Sequence, residues 1–411
     1  MELRRRITVQ PMWRQAFGFF GIMFFIFLAD AAVADFVPGF MQDRLGSPLA
    51  MGLTMSCSSI AGFALDLLFA RYFRNVRVRL MLLLSILGFG AFVGFLYLAS
   101  YVPWFVFFLA GMVVWGLYYE FFGFASQKFV VSVAGPSQRT AVWSVLESVR
   151  AVAYAIGPLA TMQLMVYGER TTLAALAAIA FLSLVMFSVI PLRDGGEDHG
   201  EHEPLTVWHE LAHWRVLFAH IWPMILLGFV LGLVDAMYWT TGTVVNDQLA
   251  ARSPIGGLFL TLYMISSLFV GFVMGRTVIR EGKKRLAAWL VLASGIVMIG
   301  ITWHDAVLWY LAVVFISSLL SALAWPLMDA VYTDLLARMG HEQIHMVGLR
   351  NACYSIAFIL GPTFAGLLAG LVGELPSFTY MGVLMAGTGL ILILFTPRKL
   401  RLPQAEIQQW E

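Results

Sequence analysis

The sequence predicts an all-α, polytopic membrane protein with twelve transmembrane helices in two pseudo-symmetric six-helix bundles. Three observations carry that prediction: a composition poor in charge, a succession of apolar runs long enough to span a bilayer, and an internal repeat at about 205 residues. Of 411 residues, 60% are hydrophobic and 12% charged, against about 25% charged in a soluble protein. The mean hydropathy is +0.82. Thirteen Trp and 33 Phe add to a lipid-compatible surface. The net charge of +2 says little about partners, because in a membrane the placement of charge matters more than its sum. Lys and Arg are scattered through short loops and form no stripe, so no nucleic-acid partner is expected. Cys57 and Cys353 both sit in apolar segments, which excludes a disulfide framework and a metal-ligand spacing of cysteines.

A spanning helix needs roughly 20 apolar residues. Runs between charged or Pro/Gly breaks give twelve spans, near 16–40, 49–70, 80–99, 103–131, 139–166 and 172–191, then 216–243, 254–278, 286–303, 306–336, 346–371 and 377–396. One long polar stretch separates the sixth from the seventh. The expected organisation is therefore an N-terminal bundle over 1–192, a cytoplasmic linker rich in His and acids over 193–215, and a C-terminal bundle over 216–411.

The N-terminus, Met1 to Arg14, is basic and leads into an apolar stretch too long for a cleavable signal, so a retained first span is expected. With that end inside the cell, 22 of the 26 Lys and Arg fall on the inner side. Arg44, Arg170 and Arg252 fall outside, and Arg150 lies within a span. This bias predicts both termini in the cytoplasm of a bacterial inner membrane.

The halves repeat. Ser47-Pro48 before span 2 recurs as Ser253-Pro254 before span 8. At the same offset Arg74, Arg77, Arg79 and Leu80 answer to Arg280, Lys283, Arg285 and Leu286. Gly157-Pro158 in span 5 matches Gly361-Pro362 in span 11, and Asp30 in span 1 matches Asp235 in span 7. Matches in register at nearly one spacing indicate duplication. The two Gly-Pro pairs are candidate packing or hinge points.

The loop after span 8 reads Gly275-Arg-Thr-Val-Ile-Arg280-Glu-Gly282-Lys283-Lys284-Arg285. It resembles the loop signature of the major facilitator superfamily at Gly275, Arg280, Gly282, Lys283 and Lys284, and departs from it at Ile279, where an acid is expected. The copy after span 2, Ala70 to Arg79, keeps only its basic character. Such a loop supplies a tight turn and cations that pair with acids at neighbouring helix ends, or else only sets topology. The resemblance extends along the chain through topology, linker and repeat. It implies two bundles around a cavity that opens alternately to each side, with sites near the midplane. Within the superfamily, the Gly-Pro of span 5 loosely resembles a signature of twelve-span drug:proton antiporters. Ala153, Ala160 and Thr161 stand where further glycines belong.

An ionisable residue inside a span costs several kcal/mol and marks a functional candidate. Asp30, Asp66, Glu120, Glu147, Arg150, Asp235 and Asp329 are such residues. Counting helical rise puts Asp30 about 20 Å from the inner face. Asp35 and Asp334 approach the interfaces, where a carboxylate reaches headgroups. Glu147 and Arg150 share a helix face, and Glu120 lies at a similar depth. An Arg shared by two acids leaves one free to exchange a proton. The alternative is a static salt bridge tying spans 4 and 5. Acids outnumber the one midspan base, which favours cations or protons over anions. Trp115, Tyr118, Tyr119, Tyr154, Tyr238, Trp239 and Trp325 offer cation–π surfaces or serve as packing.

In the linker, His209-Glu210-Leu211-Ala212-His213 fits the H-E-x-x-H zinc pattern. It lacks a clear third ligand, and an interfacial amphipathic helix with Trp208 and Trp214 at the headgroups is the plainer reading. Loose metal binding at His209 and His213 keeps metal or metal-chelate export open. A metalloprotease and a non-transporting scaffold are the remote alternatives.

The expectation is a secondary transporter and not an enzyme, with no cofactor. Its partners are a small-molecule substrate, protons and the lipid bilayer, and it acts as a monomer. The direction expected is proton-coupled efflux of a hydrophobic cation, with uptake of a neutral solute as the alternative. Topology is directly testable. A reporter that works only in the cytoplasm, fused after Glu411, should be active, and a periplasmic reporter there should be silent.

Overall fold

The computed structural model describes residues 11–72, 76–133, 139–190, 207–274, 282–339, 343–397, 399–400 and 402. Among them the regular structure is helical: α1 (Pro11–Leu45), α2 (Pro48–Tyr72), α3 (Val78–Ala99), α4 (Phe105–Val133), α5 (Arg139–Met165), α6 (Glu169–Val189), α7 (Val207–Tyr238), α8 (Thr241–Arg252), α9 (Phe259–Met274), α10 (Lys283–Ile299), α11 (Val307–Met339), α12 (Gln343–Val372) and α13 (Glu374–Phe395). Among the described residues, ten helical stretches are long and apolar enough to cross a membrane by length and composition. With the more polar α5 and the shorter α9 they account for the twelve expected segments.

Two boundaries differ from the sequence reading. The seventh segment, expected as one span over 216–243, breaks at Trp239 and Thr240 into α7 and α8. No proline marks this break. The Thr240 amide turns to the Met237 carbonyl (3.2 Å), and its hydroxyl takes the Ala236 carbonyl (2.7 Å) that the interrupted helix leaves open, while the Thr243 hydroxyl bonds the Thr240 carbonyl (2.7 Å). The second difference is that α7 begins at Val207, so the last part of the expected linker is already helical.

The chain packs as two compact units, Met1–Val33 with Ala64–Glu201, and Ala34–Phe63 with His202–Glu411. The end of α1 and most of α2 thus belong with the C-terminal helices, a division that the linker does not foreshadow. The reason is close backbone packing. A Cβ on Gly52 of α2 would lie 2.2 Å from the Pro362 carbonyl oxygen, and one on Gly366 would lie 2.4 Å from the Pro48 carbonyl oxygen. The Ser56 and Thr363 hydroxyls add a hydrogen bond at 2.8 Å.

In the first unit α3 buries Met81, Leu82, Ser85, Ile86, Phe89, Phe92, Val93 and Leu96, a helical face three and four residues apart. Phe92 stacks on Trp115 of α4 with ring centroids 5.0 Å apart. Leu80, Leu87 and Leu98 remain exposed on the same helix, as lipid-facing side chains must. In the second unit α10 and α13 meet through small residues. A Cβ on Gly295 would lie 2.6 Å from the Gly382 carbonyl oxygen, and one on Gly389 would lie 2.6 Å from the Leu292 amide. Small residues at helix crossings let dispersion contacts form where lipid supplies no hydrophobic drive.

The Gly-Pro pairs occupy equivalent places. A Cβ on Gly157 would lie 2.5 Å from Ala31 Cβ, and one on Gly361 would lie 2.4 Å from Ala236 Cβ. Each glycine therefore seats α5 or α12 against the alanine that directly follows a candidate acid, Asp30 or Asp235. Gly157→Val should lower the thermal unfolding midpoint of the purified protein, by the equivalent of about 1–3 kcal/mol of overpacking. Gly94→Val is the comparison, since nothing lies within 4 Å of its added Cβ, and it should shift the midpoint little.

Candidate functional site

Asp30 is 0% exposed. Its carboxylate is held from two helices. Trp115 Nε1 donates to Oδ1 at 2.9 Å, the Tyr119 hydroxyl donates to Oδ2 at 2.6 Å, and the Tyr154 hydroxyl donates to Oδ2 as well. Trp115 and Tyr119 share a face of α4 because they are four residues apart, and Tyr154 comes from α5. The Tyr119 and Tyr154 hydroxyls are 3.3 Å apart. Phe27 packs edge-on against Tyr154 and Phe122, at 6.1 and 5.0 Å. The Thr161 hydroxyl bonds the Ala32 carbonyl at 2.8 Å, so α5 grips α1 on the far side of the Gly157 notch.

Arg150 stands one turn before Tyr154, with its guanidinium carbon 5.4 Å from that ring centroid. Its charge reaches Asp30. Glu120 is half-buried on α4. The side chains of Asp66 and Glu147 lie outside the described residues, so of the expected switch the structure places Arg150 against Tyr154, a donor to Asp30, and Glu120 one residue after Tyr119.

The second unit repeats the theme with a more open site. The Tyr263 hydroxyl of α9 donates to Asp235 Oδ1 at 2.5 Å, and the Tyr354 hydroxyl of α12 donates to Oδ2 at 3.3 Å. Tyr238 stacks on Tyr263 at 3.8 Å, Tyr354 meets Phe358 at 4.8 Å, and Trp325 stands edge-on to Tyr354 at 5.9 Å. Asp235 is half-buried, and Tyr354 is 39% exposed. The site lies one turn before the α7–α8 break. In the first unit α1 runs unbroken past Asp30.

Asp329 and Asp334, both on α11, form ion pairs. Asp329 pairs with Arg350 at 2.5 Å, and the Arg350 guanidinium lies over the Tyr332 ring at 5.5 Å. Asp334, expected to reach headgroups, pairs instead with Lys283 at 2.8 Å. The Lys284 ammonium donates to the Pro397 carbonyl at 2.8 Å. Gly282 takes φ +76°, a left-handed conformation that favours glycine. The residue before α3 is Arg77 in extended conformation. Gly275 and Arg280 lie outside the described residues. Pro158 and Pro362 sit inside α5 and α12 directly after the notch glycines.

His213 lies on α7 with its ring edge-on to His345 of α12 at 4.4 Å, while the side chains of His209 and Glu210 are outside the described residues. Among the described residues no group of three or more His, Cys, Asp or Glu is placed to hold a metal ion.

Of the residues gathered around these two acids, sequence reasoning named the acids themselves and the aromatics Trp115, Tyr119, Tyr154, Tyr238 and Trp325. It missed Tyr263, Tyr354 and Arg350. The repeat held a signal for one of them, since Tyr354 occupies in α12 the position that Arg150 occupies in α5.

Removing donors from Asp30 tests its cage. Tyr119→Phe combined with Tyr154→Phe leaves one donor on a buried carboxylate. At about 1.5–3 kcal/mol for each hydrogen bond to a charged group, the thermal unfolding midpoint should drop clearly. Tyr263→Phe, beside the half-buried Asp235, should lower it less.

The profile of the Major Facilitator Superfamily matches residues 16–248 and 224–410. No curated protein matches the chain by sequence. Among solved structures it is similar to a peptide transporter, POT, bound to sulfate (14% identity, TM-score 0.73, 95% of each chain). It is also similar to the nucleoside transporter NupG (11% identity, TM-score 0.71, 92% of this chain and 97% of that one). A third likeness is the human organic anion transporter MFSD10 (TETRAN), with 16% identity, TM-score 0.64, and 93% and 99% coverage. These likenesses establish the fold and leave the substrate open. The chain, an all-helical multi-pass protein matched by the family profile along almost its whole length, belongs to the major facilitator superfamily of transporters.

Proposed function

We propose that this transporter exports a hydrophobic cationic compound across the bacterial inner membrane in exchange for protons, by alternating access and with both termini in the cytoplasm. The observation that carries the reading is the Asp235 site, a half-buried carboxylate flanked by Tyr263, Tyr354 and Trp325. A carboxylate beside aromatic faces attracts an organic cation by charge and by cation–π contact, and it offers an anion little.

Asp30 has a different role in this scheme. It is sealed from solvent and accepts three hydrogen bonds, which favour the ionised form against the burial that opposes it. A proton arriving there turns an acceptor oxygen into a donor, so a tyrosine hydroxyl that donated to it must turn away. Protonation is thereby linked to the packing of α1 against α4 and α5. Arg150, next to the cage, acts with Glu120 and Glu147 as the protonation switch, and Asp66 and Asp329 take part in coupling. The Lys283–Asp334 pair, at 2.8 Å, belongs to one gate state.

A second reading, uptake of a neutral organic solute with protons, draws on the exposed hydroxyl-bearing Tyr354, which suits a hydrogen-bonding solute as well as a cation. Inverted membrane vesicles with an acid interior separate the two. Adding a lipophilic cation should release lumenal protons with the wild type. Asp235→Asn should raise the cation concentration needed, and Asp30→Asn should abolish the proton signal. Proton movement driven by neutral solutes and not by cations would overturn export in favour of uptake.

A further inference from the structure

The second unit holds another acid, which neither cage uses. Asp35 of α1, expected from the sequence to reach headgroups, is instead 1% exposed, and neither of its oxygens has a hydrogen-bond partner among the described residues. One turn along the same helix, Gly39 leaves a gap that α8 fills. A Cβ on Gly39 would lie 2.9 Å from Asp247 Oδ2. Asp247 is the charged group facing Asp35, and Asp43, two turns beyond Asp35, is the charged group facing Asp247. Asp43 and Asp247 are exposed. Of the nearby cations, Arg252 at the end of α8 pairs with Asp305 at 3.4 Å, and the Arg44 guanidinium lies over the Phe40 ring at 5.4 Å. Asp35, Gly39 and Asp43 thus share one face of α1, with Asp247 of α8 set against Gly39 between the two acids.

An ionised carboxylate buried without a hydrogen bond or countercharge pays a penalty of several kcal/mol. A neighbouring carboxylate worsens it. The neutral acid avoids both terms. We propose that Asp35 is a proton-binding site, distinct from the Asp30 and Asp235 cages, loaded through Asp43 and through Asp247, which Gly39 lets approach α1. Withdrawal of α8 from α1 would hydrate Asp35 and release the proton, so occupancy of this site favours the packed arrangement of the two helices. The site requires nothing of the substrate or of the direction of transport.

Infrared difference spectroscopy of the full chain in lipid nanodiscs at neutral pH tests this through the carbonyl stretch of protonated carboxylic acids. The wild type should show such a band, Asp35→Asn should remove it, and Asp30→Asn should retain it. Transfer into heavy water should shift the band, and Asp247→Asn and Gly39→Ala should each slow that shift several-fold. The exchange comparison stands even where Asp35→Asn fails to fold. An Asp35 that is ionised, with no band sensitive to its substitution or with a band that vanishes on adding sodium, would overturn the proton site. Exchange equally fast in both path variants would overturn the route.

Discussion

A carboxylate in the middle of a membrane protein must find donors within its own fold, and the N-terminal unit is organised around meeting that demand for Asp30. One indole N–H and two tyrosine hydroxyls converge on it. The helices that carry them must approach α1 closely enough for hydrogen bonds of ordinary length. That approach is possible on α5 because Gly157 has no side chain where it meets Ala31. The alanine after the acid and the glycine of the Gly-Pro pair are two sides of one contact, and the acid's donors come into reach as its consequence.

The second unit uses the same construction to a different end. Gly361 meets Ala236 as Gly157 meets Ala31, and tyrosines again reach the acid. Two changes open the site: Tyr354 takes the place of Arg150, and α7 breaks one turn after Asp235 where α1 continues. A duplicated frame therefore holds one sealed and one accessible carboxylate. An asymmetry of this kind suits a carrier that must treat a proton and a larger solute differently. A proton needs only a hydrogen-bond path, while an organic molecule needs exposed surface.

Elsewhere in the second unit the charges form ties of another type. Asp329 with Arg350 and Asp334 with Lys283 join α11 to α12 and to α10 through partly exposed side chains. Pairs of this exposure contribute about 0–1 kcal/mol each. Such ties can form and break as a gate moves, whereas the cage around Asp30 is too deeply buried to come apart without rearranging the unit.

The sequence by itself determined the class of fold, the approximate spans and the duplication. These follow from local properties: apolar run length, charge spacing and matched motifs at a constant offset. It did not determine the partners of the candidate acids, because the donors to Asp30 come from residues 85, 89 and 124 positions away, and only helix packing decides which aromatic turns toward a carboxylate. Asp334 shows the same limit, since its distance from the membrane centre is legible but Lys283 across a neighbouring helix is not. The division of α1 and the break after Tyr238 were likewise decided by tertiary structure. Gly52 and Gly366 look like any small residues in an apolar run until their backbones meet, and a threonine-rich break without proline leaves the hydrophobic pattern intact. Local sequence records what a residue is and how deep it lies; which groups satisfy it depends on contacts between helices distant in the chain.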